Sequence, residues 1–279
     1  MNSDAIMNLW TPGPPDGLLQ HGRPEELTDS TADDQRRNRL YSGVSQPTFT
    51  IHPAPAKRVT GAAVVVFPGG GYRDIWIDKE GYDIARWLNQ FGVTAAVVKY
   101  RTEPVSTVGH APEDLRRQVM AASLTDAKRA MRLVRHRAGE WDVDPHRIGA
   151  IGFSAGGDLI IRLVEQADAG NPDAADPVER SSSRPDFSIL LYPGVPEDLT
   201  GLRAGMGPVF IANASDDALT PPQGAVRLYQ RLLEIQVPAE LHMFREGGHG
   251  FGLGVPGGSV RNWMHLCEDW MRDLGYLAR

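Results

Sequence analysis

A serine stands between glycines in the stretch IGFSAGG, Ile151 to Gly157. An apolar run precedes it and a segment with helical character follows, so Ser154 falls on a tight strand-to-helix turn. Small residues at Gly152 and Gly156 let the two backbones approach closely. Such a turn lifts the hydroxyl above a sheet edge with a helix N-terminus behind it, where donors favour developing negative charge. This is the G-x-S-x-G pattern in the context that suits a nucleophile. A serine hydroxyl is a weak nucleophile and needs a base. Of the eight histidines, His249 lies in REGGHGFGL, a glycine-rich loop after a strand and C-terminal to the serine, as the chain order of such sites requires. His242 sits mid-strand and His265 on the last helix, and both read as structural. His21, His52, His110, His136 and His146 precede the serine. The orienting acid is expected after the next-to-last buried strand, in VFIANASDDALTPP. There Asp216 and Asp217 are adjacent: one can orient the histidine while the other caps or faces water. Asp217 is the choice, with Asp198 in reserve. The run Gly69-Gly70-Gly71 follows a buried strand and exposes backbone amides. With Ala155, the amides of Gly70 and Gly71 suit an oxyanion. A phosphate loop would need a lysine and a Ser/Thr that this run lacks.

These residues need a scaffold, and the chain alternates strand and helix signals. AAVVVFP, VTAAVVKY, the run into Ser154, FSILLYP and PVFIANAS are apolar and β-branched, the mark of strands buried on both faces. PTFTIHPAP alternates, as an outer strand does, and AELHMFRE is a further strand. IDKEGYDIARWLNQFG, SLTDAKRAMRLVRHRAGEW, AGGDLIIRLVEQAD, PPQGAVRLYQRLLEIQ and SVRNWMHLCEDWMRDLG read as helices. The alternation predicts an α/β fold, a mostly parallel sheet with helices on both faces. Residues 1–47 read as an N-terminal arm and first strand region, rich in turn residues, and 48–279 as a single domain.

The 279 residues suffice for a large core. Lys and Arg total 29 against 35 Asp and Glu, a net charge of -6. That balance argues against nucleic acid or an anionic membrane surface as the main partner. No apolar run approaches the roughly 20 residues of a spanning helix. Cys267, the single cysteine, makes no internal disulfide and reads as a half-buried helix residue. No metal motif is present, and no cofactor is expected. The N-terminus shows no signal peptide, so the chain reads as cytoplasmic, or as secreted or periplasmic if a leader has been removed.

Seven motifs in order, FPGGGY, EGYDIARWLNQFG, VVKYR, DPHRIGAIGFSAGGDL, RPDFSILLYP, ASDDALTPP and EGGHGFGL, together resemble the α/β-hydrolase esterases grouped as acetyl esterases, acetylxylan esterases and bifunctional deacetylase–feruloyl esterases. The resemblance runs from about Ala62 to the C-terminus. It implies an α/β-hydrolase fold, Ser154 as nucleophile, His249 as base, Asp217 as orienting acid, and an oxyanion hole from Gly70, Gly71 and Ala155. PGGG replaces the HGGG of hormone-sensitive-lipase-like relatives, so Pro68 stands where they carry histidine. The loop over 102–118 and the N-terminal arm match nothing in the family pattern.

The chemistry expected is hydrolysis of short acyl esters of carbohydrate, xylan-type acetyl or feruloyl esters, with a small-molecule or oligosaccharide ester as substrate. Tyr72, Trp76 and Phe251, beside the glycine run and the histidine, are the aromatics expected to line the substrate site. Arg73 and Asp74 either meet sugar hydroxyls or form a solvated pair. The sequence leaves no room for a large cap domain. Two other classes use the same fold: a serine peptidase, and a binding protein that has lost catalysis.

Overall fold

The computed structural model describes residues 5–14, 24–30, 37–104 and 111–278. His21 and His110, and parts of the arm and of the 102–118 loop, lie outside the described residues.

In chain order the strands and helices are β1 (Ala5–Asn8), β2 (Glu26–Asp29), β3 (Arg39–Ser42), β4 (Thr48–His52), β5 (Ala63–Phe67), β6 (Asp74–Ile75), α1 (Asp83–Gln90), β7 (Thr94–Lys99), α2 (Glu113–His136), β8 (Ile148–Phe153), α3 (Ala155–Gln166), β9 (Ser188–Leu191), β10 (Val209–Ala214), α4 (Pro222–Glu234), β11 (Ala239–Phe244) and α5 (Trp263–Asp273). Eight strands form one sheet in the order β1-β4-β7-β5-β8-β9-β10-β11. β4 runs antiparallel to both its neighbours, and every other adjacent pair is parallel. Central strands are apolar throughout: all of β5, AVVVF, and all of β8, IGAIGF, is buried. Helices cover both faces of such a sheet. Here α2 packs on α3, while α1 and α5 meet through Trp87 and Trp263, whose ring centroids are 5.2 Å apart.

Three readings of the sequence change. The segment expected as an outer strand, β4, is second from the edge, because β1 pairs along it from Ala5↔Ile51 to Asn8↔Thr48. Four residues, AIMN, carry too little pattern to announce a strand, and their partners lie forty or more residues on. Second, α2 begins at Glu113, ten residues before the segment in which its apolar spacing becomes visible. Its first turns, EDLRRQ, are polar and largely solvent-facing. Third, Cys267 is fully buried.

Two ionic clusters fasten the peripheral pieces. Asp126 of α2 accepts the Trp10 indole N–H at 2.8 Å, the Arg101 backbone N–H at 3.0 Å and Arg101 Nε at 2.9 Å. One buried carboxylate thereby holds the N-terminal segment, the end of β7 and α2 together. β2, β3 and β6 form a second, three-stranded sheet. Its Arg39 donates Nε to Asp78 at 2.8 Å and its backbone N–H to the same carboxylate at 2.7 Å.

Candidate active site

The turn between β8 and α3 is built from residues without room for side chains. A Cβ on Gly156 would meet the Phe67 carbonyl oxygen at 2.0 Å, and one on Gly152 the Gly156 carbonyl oxygen at 2.4 Å. This tight approach of α3 to β5 and β8 forces Ser154 to φ 52°, ψ −115°. A non-glycine residue there is strained. Hydrogen bonds hold it: Ser154 N–H donates to the Leu191 carbonyl at 3.0 Å, and the Ser154 carbonyl accepts from Gly157 at 3.0 Å and Gly194 at 2.9 Å.

Ser154 Oγ lies 2.9 Å from His249 Nε2. The histidine comes from the loop after β11, where Gly248 and Gly250 adopt positive φ and turn the backbone on either side of it. Its Nδ1 is 2.9 Å from Asp217 Oδ2 and 3.1 Å from Oδ1. Asp217 stands after β10, at the carboxyl end of the parallel strands, where open α/β sheets place their sites. Its side chain is fully buried. Oδ1 accepts the N–H groups of Leu219 and Thr220, each at 2.9 Å, and Oδ2 the Thr220 hydroxyl at 2.7 Å. Burial alone would raise its pKa. The Thr220 amide, the His249 ring and the Thr220 hydroxyl outweigh that and hold it below the usual carboxylate range.

The neighbouring acids do other things. Asp216 Oδ1 accepts the amides of Gly247 at 3.0 Å and Gly248 at 2.8 Å, tying down the loop that carries His249. Asp198 does not reach the histidine. It is exposed and binds the Thr200 amide and hydroxyl, at 2.9 and 2.6 Å. His242 rests on Phe210, centroids 4.9 Å apart, and meets Glu240 at 3.0 Å, away from the serine.

A cleft of about 750 Å³ opens over Ser154, bordered by Gly70, Gly71, Ala155, Trp76 and Thr220 among others. Gly70 and Gly71 have φ 137° and 67°. Among the described residues no intramolecular hydrogen bond engages the amides of Gly70, Gly71 or Ala155. Tyr72 and Trp76 both border the cleft. Tyr72 is nearly buried, and its hydroxyl donates to Asp158 at 2.5 Å. Burial, then the charge of Asp158, pushes its phenol well above the ordinary range. Arg162 completes this corner, donating Nε to Asp158 at 2.7 Å. Lys79 Nζ sits 4.5 Å from the Trp76 ring centroid.

Phe251, expected at the substrate, does not border the cleft. It is fully buried, 4.4 Å from Tyr192 between centroids. Two residues on from His249, it follows the loop back into the core. Arg73 is exposed and pairs with Asp74 at 3.5 Å, and Asp74 also accepts from Ser42 Oγ at 2.6 Å. Two participants went unread in the sequence. Thr220 touches both Asp217 and His249 Nδ1, the latter at 3.2 Å. Its signal was available: an Asp followed three residues later by Thr before a proline-started helix is capping chemistry. Asp158, one helical turn after Ser154, faces the cleft by the same periodicity. No group of three or more metal-ligating side chains occurs among the described residues, and no helix there is long and apolar enough to cross a membrane.

The fold has a counterpart among solved structures. The structure of an acetyl ester-xyloside bifunctional hydrolase from Caldicellulosiruptor lactoaceticus superposes with a TM-score of 0.75 at 29% identity, covering 98% of this chain and 97% of that one. The chain has the α/β-hydrolase fold. Within it, residues 51–168 match the BD-FAE family. An acetylxylan esterase of Xylanibacter ruminicola is 27% identical over 247 residues, 77% of this chain and 45% of that protein. An endo-1,4-beta-xylanase B of Butyrivibrio fibrisolvens is 28% identical over 217 residues, 67% of this chain and 32% of that protein. The chain thus spans less than half the length of these curated relatives.

Proposed function

We propose that the chain is a serine carboxylesterase that removes acyl groups, short ones such as acetyl or else feruloyl, from carbohydrate of the xylan type. The observation that carries this is the continuous line from Asp217 through His249 to Ser154 Oγ, with 2.9 Å at each junction, opening on a cleft bordered by unengaged amides.

Ser154 Oγ attacks the ester carbonyl as His249 Nε2 takes its proton. Asp217 accepts the hydrogen bond of the Nδ1–H, which fixes the tautomer, and stabilises the imidazolium. The carbonyl oxygen gains charge against the amides of Gly70, Gly71 and Ala155. His249 returns the proton to the departing alcohol oxygen, and water then repeats the sequence on the acyl-enzyme. Tyr72 and Trp76 line the cleft where the acyl or sugar part rests, and the Asp158–Arg162 corner offers both an acceptor and donors to hydroxyls. An open cleft of this size suits a small acyl group on a bulky alcohol. The names of the relatives, an acetylxylan esterase and an acetyl ester-xyloside hydrolase, support the same choice.

The test is hydrolysis of 4-nitrophenyl acetate, butyrate and octanoate, acetylated xylan and methyl ferulate by the wild type and Ser154→Ala. The expected result is turnover of the acetyl substrates that falls by about 10⁴ or more in the variant. Turnover of an aminoacyl anilide in place of esters would favour a peptidase. Binding without turnover would favour a silent receptor.

A further inference from the structure

Glu80 takes no part in the steps above, yet it is 2% exposed at the floor of the cleft. Its Oε2 accepts the Gly69 N–H at 2.8 Å. Its Oε1 accepts the Tyr192 hydroxyl at 3.0 Å. Lys79 Nζ stands 3.9 Å from Oε1. The Tyr192 oxygen in turn accepts the Gly252 N–H at 3.1 Å, three residues past His249. The Tyr192 ring also meets the His249 ring edge-on, centroids 5.1 Å apart.

Gly69 is the residue immediately before the two glycines whose amides face the reaction. It is wedged: a Cβ there would meet Glu80 Oε2 at 2.8 Å and Ser154 Cβ at 2.9 Å. The peptide before it is held as well, because Tyr100 donates its hydroxyl to the Pro68 carbonyl at 2.7 Å. Removing a carboxylate from water is costly, and apolar packing would fill the space at less cost. What a carboxylate supplies is two acceptor oxygens in fixed relation, and here one holds the Gly69 amide and the other the Tyr192 hydroxyl, which in turn anchors the His249 loop.

We propose that Glu80 is a positioning residue that holds the Gly69–Gly71 loop and the His249 loop in mutual register, so that the oxyanion amides and the base meet the same tetrahedral carbon. The proposal rests on the esterase reading of the site. An amide in place of the carboxylate keeps one acceptor for Gly69 but turns its NH₂ toward Tyr192, leaving the Tyr192 O–H without an acceptor. Glutamine therefore keeps half of the device and alanine none.

The experiment compares the wild type with Glu80→Gln and Glu80→Ala by kcat and KM on 4-nitrophenyl acetate. It adds the affinity of butylboronic acid, whose serine adduct is tetrahedral, the rate of Ser154 phosphonylation by a 4-nitrophenyl alkylphosphonate, and the melting temperature. The expected order is wild type, Gln, Ala. The Ala variant should lose about 10²-fold in kcat, at a KM within about threefold of wild type, with boronate affinity and phosphonylation falling in parallel, as for a lost oxyanion contact. Gln should fall between, at about tenfold, with its melting temperature near wild type. If Ala does not fold, the Gln variant alone decides. Gln at wild-type kcat and boronate affinity overturns the proposal, as does a drop in kcat with unchanged boronate affinity. A wild type that turns over no ester yet phosphonylates faster than Glu80→Gln loses the substrate assignment and keeps the positioning role. A wild type inert to phosphonate overturns the nucleophile and, with it, Glu80.

Discussion

Asp216 accepts the Gly248 amide at 2.8 Å, one residue before His249, while its neighbour Asp217 accepts from the ring of His249 itself. Two adjacent carboxylates thus hold one histidine, by its backbone and by its imidazole. Their replacements should separate cleanly. Asp217→Asn should cost about 10⁴ in kcat, because an amide donor facing Nδ1 imposes the wrong tautomer. Asp216→Ala strands two solvent-accessible amides and should cost about tenfold. Steady-state kinetics on one acetyl ester checks both, and equal losses would refute the division of roles.

The depressed pKa of Asp217 carries a sign. A folded value below the ordinary 3.8 means that ionised Asp217 contributes stability above that pH and loses it as pH falls through the folded value. The stability difference between wild type and Asp217→Asn should therefore change between neutral pH and pH 3 in the direction that weakens the wild type. Urea denaturation of both proteins at pH 7, 5, 4 and 3 measures it. A difference that is flat with pH would refute the assignment.

Trp76 and Phe251 were expected to do the same job, and the structure separates them. Trp76→Ala should raise KM on carbohydrate esters several-fold with little change in melting temperature. Phe251→Ala opens a core cavity beside Tyr192 and should cost about 3–5 kcal/mol of stability. Chemical denaturation beside substrate kinetics distinguishes the two, and a stable Phe251→Ala with altered acyl preference would reverse the reading.

Asp126→Ala should be among the more destabilising single changes, at about 3–5 kcal/mol, because it removes the buried carboxylate that the Arg101 guanidinium and the Trp10 indole share. It lies on α2, outside the cleft, so the loss should appear in the unfolding midpoint while kcat of the folded protein stays within about twofold. A midpoint unchanged from wild type would contradict the cluster's role.

What was legible in the sequence was local. The elbow is written in consecutive small residues, and the central strands in β-branched runs that bury both faces. The order of Ser154, Asp217 and His249 follows from those strands. What was not legible depends on distance in the chain or on side-chain direction. β1 becomes a strand only because β4 lies beside it. The polar opening of α2 carries no apolar rhythm. Phe251 is near His249 in sequence, but the loop turns between them, so adjacency did not predict exposure. Asp216 and Asp217 are indistinguishable as letters, and the turn into α4 decides which one faces the imidazole. Glu80 lies in a helical motif whose periodicity says nothing about the Gly69 amide and the Tyr192 hydroxyl that its carboxylate meets.

The backbone of Ser154, held at φ 52°, has a consequence for how this protein responds to change. Glycine accepts that conformation without the penalty a side chain brings, of order 1 kcal/mol or more. Ser154→Gly should therefore melt at a higher temperature than wild type while turning over nothing. At this one position thermal robustness and the proposed reactivity are opposed, because the change that relaxes the backbone also removes the hydroxyl.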